Sequence, residues 1–469
     1  MSPEWVSILA LIALFVIGTV LPINMGALAF VAAWLVGMYS LGLDEKEIIA
    51  GISGDLILTL VGVTYLFAIA KNNGTVDLIV RKAVQAVGGR VALMPWVMFF
   101  VTALLTAIGA ASPAACAIIG PIALGFAGRY KINPLLMGMM VVHGAQGGGF
   151  SPISIYGTIT NSVMADNDIA GGEIAVFLTS LVVNLLIAVA LFVVLGGREL
   201  MSRRLDHADM VPEAGAVSSP SGGTAGGAGG VAPAAGRAGA VGAVGAGGSG
   251  TAGSGGTSVR EDVQATPTTG VTVDQVATLL AFLVVAVLSL AFDRNIGFTA
   301  ITAAVVLTAL FPQKQKGAVS QVAWATVLLV AGVSTFATIL ETAGAPEYVG
   351  NWAAGLGAAV LGALILCYVG GVVSAFASST ALLPIIIPIA IPLIDGGGIS
   401  AVGIVAALAV SSTIVDVSPF STNGALMVAN RPESVSEEGL YRQILAYSAL
   451  VVAVGPLLVW AAVVVPGWV

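Results

Sequence analysis

GGGFSPISIYG, at 147–157, lies halfway along an apolar stretch that runs from 134 to 164. As one helix those residues would measure roughly 46 Å at 1.5 Å per residue. That is too long for a straight crossing of about 30 Å of hydrocarbon. The glycines loosen the helix, and Pro152 removes a backbone donor and crowds the preceding turn. The stretch therefore reads as two helices with a break at Ser151 and Pro152. SPFSTNG, at 418–424, writes the same signature 267 residues after SPISIYG, with Ser418, Pro419 and Gly424 in the corresponding places. Unwound backbone at membrane depth is tolerated only where it is buried in protein or lines a polar cavity. Two breaks of one kind point to a polar site inside a membrane protein.

The composition agrees. Of 469 residues 58% are hydrophobic and 9% charged, with a mean hydropathy of +1.02, against roughly 25% charged residues in a soluble domain. Runs such as Trp5–Val20 and Leu440–Val465 approach or exceed the ~20 apolar residues of a membrane span. The first lacks a basic leader region and a small-residue cleavage site, so it reads as a retained span. Cys116 and Cys367 sit in apolar segments without a CxxC and read as buried hydrophobes. An intramembrane hydrolase would need Ser-His, paired aspartates or HExxH at depth. The chain has no GxSxG and no HExxH, and its two histidines, His143 and His207, are far apart. The expectation is a protein that is not an enzyme, needs no cofactor and binds no nucleic acid.

Residues 206–270 are Gly, Ala and Ser-rich, with no Leu, Ile, Phe, Tyr or Trp from 211 to 270, so no core forms there. They read as a flexible tether with a reach of about 45 Å between membrane repeats at 1–205 and 271–469. VGVTYLFAIAKNNG (61–74) is answered by AGVSTFATILETAG (331–344), and AASPAACAIIGPIA (110–123) by ASSTALLPIIIPIA (377–390). Ser112 and Ser151 stand 39 residues apart, as do Ser379 and Ser418. This is an internal duplication. The expected fold is all-α. The first half reads as helices at 5–21, 24–42 and 55–70, an amphipathic stretch at 75–88, a helical hairpin at 91–127, the broken helix 134–164 and a helix at 173–196. The second reads as 271–292, 295–312, 324–341, a short stretch at 346–354, a hairpin at 356–394, the broken helix 399–429 and 439–466. With re-entrant hairpins each half crosses five times, so the second copy is inverted. The arm Ala114–Ala127 is short for a crossing, which favours re-entry. Placing the tether in the cytoplasm leaves only Lys46 and Arg294, of 17 basic residues, outside, as the positive-inside rule requires. Both termini then face outward from the cell membrane.

At the hairpin tips, Ala111-Ser112-Pro113 and Ser378-Ser379-Thr380 end one arm and start another, which places helix N-termini there. Such ends carry free N–H groups and partial positive charge. Two tips and two breaks meeting near the midplane can hold a small anion by N–H groups and hydroxyls, while carbonyls at helix C-termini hold a cation. The bland reading, Gly, Ser and Pro as packing residues, accounts poorly for four placed symmetrically.

A hairpin tip followed about 39 residues later by Gly-Gly-x-[Ser/Thr]-Pro resembles the divalent anion/sodium symporters of the ion transporter superfamily. More closely, the first half is similar to the MatC-type dicarboxylate (malonate) carriers. The resemblance covers nearly the whole chain outside the tether. It implies a scaffold domain, a moving domain built from hairpins and broken helices, a homodimer, and elevator-type sodium-coupled uptake of a small dicarboxylate. Tips in the family commonly read Ser-Asn-Thr, and both tips here lack the Asn. By position, the substrate-contacting residues are Ser112, Ser151, Pro152, Ser378, Ser379, Thr380, Ser418 and Pro419. One cation site maps to Ala107, Ala111, Ser112 and Phe150, and the other to Ser374, Ala377, Ser379 and Val417. Na+ is the implied coupling ion.

Asp416, two residues before Ser418 in an apolar segment, has three readings: sodium ligand, proton carrier, or cap of the broken helix. His143 reads as a titrating coupling group or a packing histidine, and Asn161 and Asn423 as site residues or caps. No Lys or Arg falls near the site, so a dianion needs a co-bound cation, which favours symport. Ser379 and Ser418 are expected to matter more than Ser421. The alternatives are proton coupling through Asp416 or His143 with another small anion, and an anion channel.

Overall fold

The computed structural model describes residues 2–21, 23–88, 90–169, 171–201, 270–292, 294–354, 359–375, 379–395 and 399–467, and among them every regular element is helical. The proposed tether lies outside the described residues except for Gly270, and Ala377 and Ser378 of the second tip lie outside them too. The first half begins with α1 (Pro3–Val20), α2 (Met25–Val36), a short α3 (Glu45–Ala50), α4 (Gly54–Asn72) and the amphipathic α5 (Thr75–Ala86). The hairpin follows as α6 (Met94–Ala107) and α7 (Ser112–Tyr130), the broken helix as α8 (Pro134–Gly148) and α9 (Ile155–Asp166), and then α10 (Glu173–Val194) and α11 (Gly197–Leu200). The second half runs α12 (Val273–Phe292), α13 (Ile296–Leu310), α14 (Trp324–Thr342) and α15 (Ala345–Ala354). Its hairpin is α16 (Ala359–Ser374) with α17 (Ser379–Ile389) and α18 (Ile391–Asp395), its broken helix α19 (Ala401–Ile414) with α20 (Thr422–Ala429), and α21 (Glu437–Val463) closes the chain.

Both breaks stand where Ser-Pro and Gly placed them. Two differences have local causes. Asp44 and Glu47 form a capping box, each side chain bonding the other's backbone N–H at 2.8 Å, and start α3, which hydropathy alone does not reveal. The second arm of the first hairpin is also longer than Ala114–Ala127. α7 has 19 residues and ends only where Lys131 turns to φ 52° and its N–H reaches the Ala127 carbonyl. By length and composition α7 is one of seven helices among the described residues that can cross a membrane. Its shortness therefore gives no argument for re-entry.

Small residues bring backbones together. A Cβ on Gly26 of α2 would lie 2.1 Å from the Leu328 carbonyl of α14, and one on Gly332 of α14 would lie 1.9 Å from the Gly26 carbonyl. α4 and α13 meet in the same fashion: a Cβ on Gly62 would be 2.7 Å from the Gly297 carbonyl, and one on Gly297 would be 2.7 Å from the Thr59 nitrogen. The asparagines two residues before Gly26 and Gly297 each cap their own helix and reach across. Asn24 caps α2 and donates to the Ala325 carbonyl at 3.1 Å, while Asn295 caps α13 and donates to Asp55. α2 of the first half thus packs on α14 of the second, and α13 of the second on α4 of the first.

The hairpins cross over in the same sense. α7 packs on α20, and α17 packs on α9. Behind them α6 and α10 lie on α8, and α16 and α21 on α19. The start of each hairpin's second arm is thereby set beside the break of the opposite half.

Candidate functional site

At the first tip the chain turns on Gly109, held at φ +106°, a conformation glycine adopts without steric cost. α7 then opens at Ser112, with Ala111 at its N-cap and Pro113 in its first turn. In each broken helix the serine after Ser-Pro-x caps the second arm. Ser154 accepts the Gly157 N–H at 3.2 Å, and Ser421 accepts the Gly424 N–H at 3.2 Å. Gly157 and Gly424 lie so close to the turn that a Cβ would sit 1.9 Å from the Ser151 carbonyl and 2.0 Å from the Ser418 carbonyl. SPxSxxG is therefore one structural unit used twice.

Between these parts lies a cavity of about 470 Å³. Both tips line it through Ala111, Ser112, Ser379 and Thr380, and both breaks line it through Gly149 and Asp416 with the openings of α9 and α20. The residues at the start of α14 close the remaining side. The N-terminal ends of α7, α9, α14, α17 and α20 contribute lining residues, and no Lys, Arg or His lines the cavity among the described residues. Its side-chain hydrogen-bonding groups are hydroxyls and the Asp416 carboxyl, the one acidic or basic lining residue among those described.

Asn423, fully buried, donates from Nδ2 to Ser112 Oγ and to Asp416 Oδ2, each at 2.9 Å, tying the second break to the first tip. Tyr156, at the corresponding place after the first break, lines the cavity together with Ser379 and Thr380 of the second tip. The first tip is thus held by the fifth residue after the serine of the second Ser-Pro, and the fifth residue after the first lines the cavity with the second tip. Sequence reading weighed Asn423 and passed over Tyr156, Ser154 and the lining role of Ser421. The internal alignment of SPISIYG on SPFSTNG carries the signal for all four.

The predicted residues divide into two groups. Ala111, Ser112, Ser379, Thr380 and Asp416 face the cavity. Ser151, Pro152, Ser418 and Pro419 form the buried backs of the turns. The Ser151 carbonyl accepts from the Ser154 hydroxyl at 2.6 Å. Ser418 Oγ donates to the Ala375 carbonyl at 3.2 Å and accepts the Phe420 and Ser421 N–H groups at 3.2 Å. Beside it the Ser374 and Ser379 hydroxyls bond at 2.7 Å, and Ser379 Oγ donates to the Ser412 carbonyl at 3.1 Å, with Val417 fully buried nearby in the chain. Around Ala107 and Phe150 the only side-chain oxygen of the predicted quartet is that of Ser112, and the Phe150 ring packs 5.4 Å from that of Tyr156. His143 lies off the cavity, fully buried, with Nδ1 2.8 Å from Asn184 Oδ1 and Nε2 2.6 Å from the Tyr447 hydroxyl.

Residues 1–149 match the family model of the dicarboxylate carrier protein MatC N-terminus, and residues 286–467 match that of the citrate transporters. Over these two stretches the chain is similar to the MatC-type dicarboxylate carriers and to the citrate transporters. It is a multi-pass membrane transporter of small carboxylates and not an enzyme. No curated protein matches the chain. Its fold is shared with the structure of Neisseria gonorrhoeae MtrF, from work describing a class of antimetabolite efflux pumps. That match has a TM-score of 0.55 at 13% identity and covers 99% of this chain and 95% of MtrF.

Proposed function

We propose that this MatC-type carrier takes up a small dicarboxylate, such as malonate or a C4-dicarboxylate, by symport with a cation, Na+ foremost. The carrying observation is the cavity of about 470 Å³ lined by helix N-termini and by hydroxyls, with no lining Lys, Arg or His among the described residues. Helix N-termini attract carboxylates, yet a dianion in a site without Lys or Arg needs positive charge brought in with it. The oxygens of Ser374, Ser379 and the Ser412 carbonyl are the hard donors that Na+ takes. Ser379 belongs both to that set and to the cavity lining, so a cation there and a carboxylate at the tip would stabilise each other.

The exchanged contacts, α2 with α14 against α4 with α13, and α7 with α20 against α17 with α9, support two inverted repeats. In this reading the hairpins and broken helices form the moving body of an elevator, against a scaffold built on α2, α4, α13 and α14. The carrier works as a homodimer in the cell membrane, with the tether in the cytoplasm. The test is uptake of radiolabelled malonate and succinate into proteoliposomes, competed by unlabelled mono-, di- and tricarboxylates. Saturable uptake competed by short dicarboxylates alone is expected. Uptake indifferent to all of them overturns the substrate class, and flux that never rises above equilibrium would mark a channel.

A further inference from the structure

A groove of about 420 Å³ that shares no lining residue with the candidate site opens between α10 and α21. Its walls are the exposed Leu186, Ala190 and Val194 of α10 and Leu450, Val454 and Leu458 of α21, with Ile414 of α19 behind them. Among the described residues Tyr447 is its one lining side chain with a polar atom, and that hydroxyl bonds His143 Nε2 at 2.6 Å, leaving the ring to the groove. Towards the start of α21 the lining changes character. A pocket of about 560 Å³ is lined there by Lys131, Asn133, Glu199, Ser434 and Gln443. Leu195 lines both cavities, and Pro134 of the polar one precedes Leu135 of the apolar one. On α21 the change from Gln443 to Tyr447 takes about 6 Å along the axis. The polar layer on each side of a bilayer's hydrocarbon core is of order 5–8 Å thick. The two cavities therefore form one slot that turns from polar to apolar over the depth at which a membrane does. Arg129, Arg198, Arg431 and Arg442 neighbour the polar lining in the chain, as expected of a cytoplasmic membrane edge.

A molecule that fits the whole slot has an apolar chain and a small head carrying both signs of charge. Lys131 supplies a cation and Glu199 an anion. Asn133 spends its Oδ1 on the Leu135 and Leu136 N–H groups, at 2.9 and 3.4 Å, so the group it can present is its NH2. Lys131 and Asn133 thus suit a phosphate, and Glu199 with the Ser434 hydroxyl suits an ammonium. A quaternary choline has no N–H for Glu199, and a glycerol head sets net negative charge beside Glu199 with no ammonium to offset it. We propose that the slot holds one phosphatidylethanolamine molecule, with an acyl chain between α10 and α21, its phosphate at Lys131 and its ammonium at Glu199. Lys131 and Glu199 take part in other interactions as well, and the headgroup adds to these. Because α10 and α21 pack on the broken helices α8 and α19, the lipid rides on the body that the elevator reading moves.

This inference is independent of the substrate. The full-length carrier is purified, stripped of lipid in detergent and offered phosphatidylethanolamine, phosphatidylcholine or phosphatidylglycerol with identical chains. Native mass spectrometry counts the lipid retained, and the melting temperature is read alongside. One phosphatidylethanolamine per chain is expected at concentrations about tenfold below those the other two need, the worth of one charge-assisted hydrogen bond. Its binding should also raise the melting temperature. Glu199→Gln should erase the preference over phosphatidylcholine, and Ala190→Trp, which fills the groove, should end retention. If Ala190→Trp does not fold, Ala462→Trp on the facing wall takes its place. Equal retention of all three lipids overturns the inference, since it marks an ordinary lipid belt. So does a preference unchanged in Glu199→Gln, or retention undiminished by the tryptophan. Tighter binding of phosphatidylglycerol than of phosphatidylethanolamine overturns it in favour of an anionic lipid held by the basic residues of that edge.

Discussion

Ser421 shows how a residue that looks secondary in the sequence acquires a role from its place in a turn. It accepts the Gly424 N–H, its own hydroxyl donates to the Ser418 carbonyl at 2.8 Å, and it lines the cavity. Ser421→Ala removes an N-cap worth about 1 kcal/mol at the mouth of the site. It is therefore expected to reduce uptake alongside Ser379→Ala and Ser418→Ala, contrary to the sequence expectation that it matters less. Measured uptake in the three variants, normalised to folded protein, checks this, and full activity of Ser421→Ala would count against it. Gly157 and Gly424 make a sharper case, because each would drive a Cβ into a carbonyl at about 2 Å. Alanine at either position should cost on the order of 1–3 kcal/mol through overpacking, read as a lower melting temperature in detergent. Gly125→Ala, where nothing lies within 4 Å of the added carbon, should leave it unchanged or slightly higher.

Helices were easily read from the sequence because a membrane demands long apolar runs, and two Ser-Pro signals are strong breakers. α8 and α9 separate at 149–154, and α19 and α20 at 415–421, as the proline and glycine chemistry predicts. What hydropathy could not supply was the end of α7, set by a left-handed Lys131 rather than by a change in apolarity, and α3, which depends on a polar capping pair. The cross-half contacts were equally hidden, since nothing in either repeat names its partner. Asn24 and Asn295 look like ordinary caps until the structure shows each reaching the opposite half. Gly332→Val is predicted to separate α2 from α14, because its side chain would overlap the Gly26 carbonyl 1.9 Å away. Loss of a monodisperse elution profile and of uptake together would confirm that the pair holds the frame. A fully active Gly332→Val would deny it.

For the molecule as a whole, the candidate site was legible in outline because duplication doubles every signal: two tips, two breaks, one spacing. Its inner division was not, because facing the cavity or backing the turn is decided by a rotation about the chain. Ser112 and Ser379 fall on one side and Ser151 and Ser418 on the other. Among the described residues the site is built from α7, α9, α14, α17, α20 and the turns before α9 and α20, and residues 215–255 read in the sequence as a tether. Their removal is expected to leave transport rates within about twofold, as a long tether loses little when shortened. A large loss on deletion would assign that segment more than a spacer's part.

The account turns on accumulation against a gradient by a site with no lining Lys, Arg or His among the described residues. The decisive measurement is radiolabelled malonate and succinate uptake into proteoliposomes under an inward sodium gradient, an inward proton gradient, both, or neither. Accumulation above equilibrium under the sodium gradient, and none when both gradients are absent, is the predicted result. Equal uptake under all four conditions would contradict it.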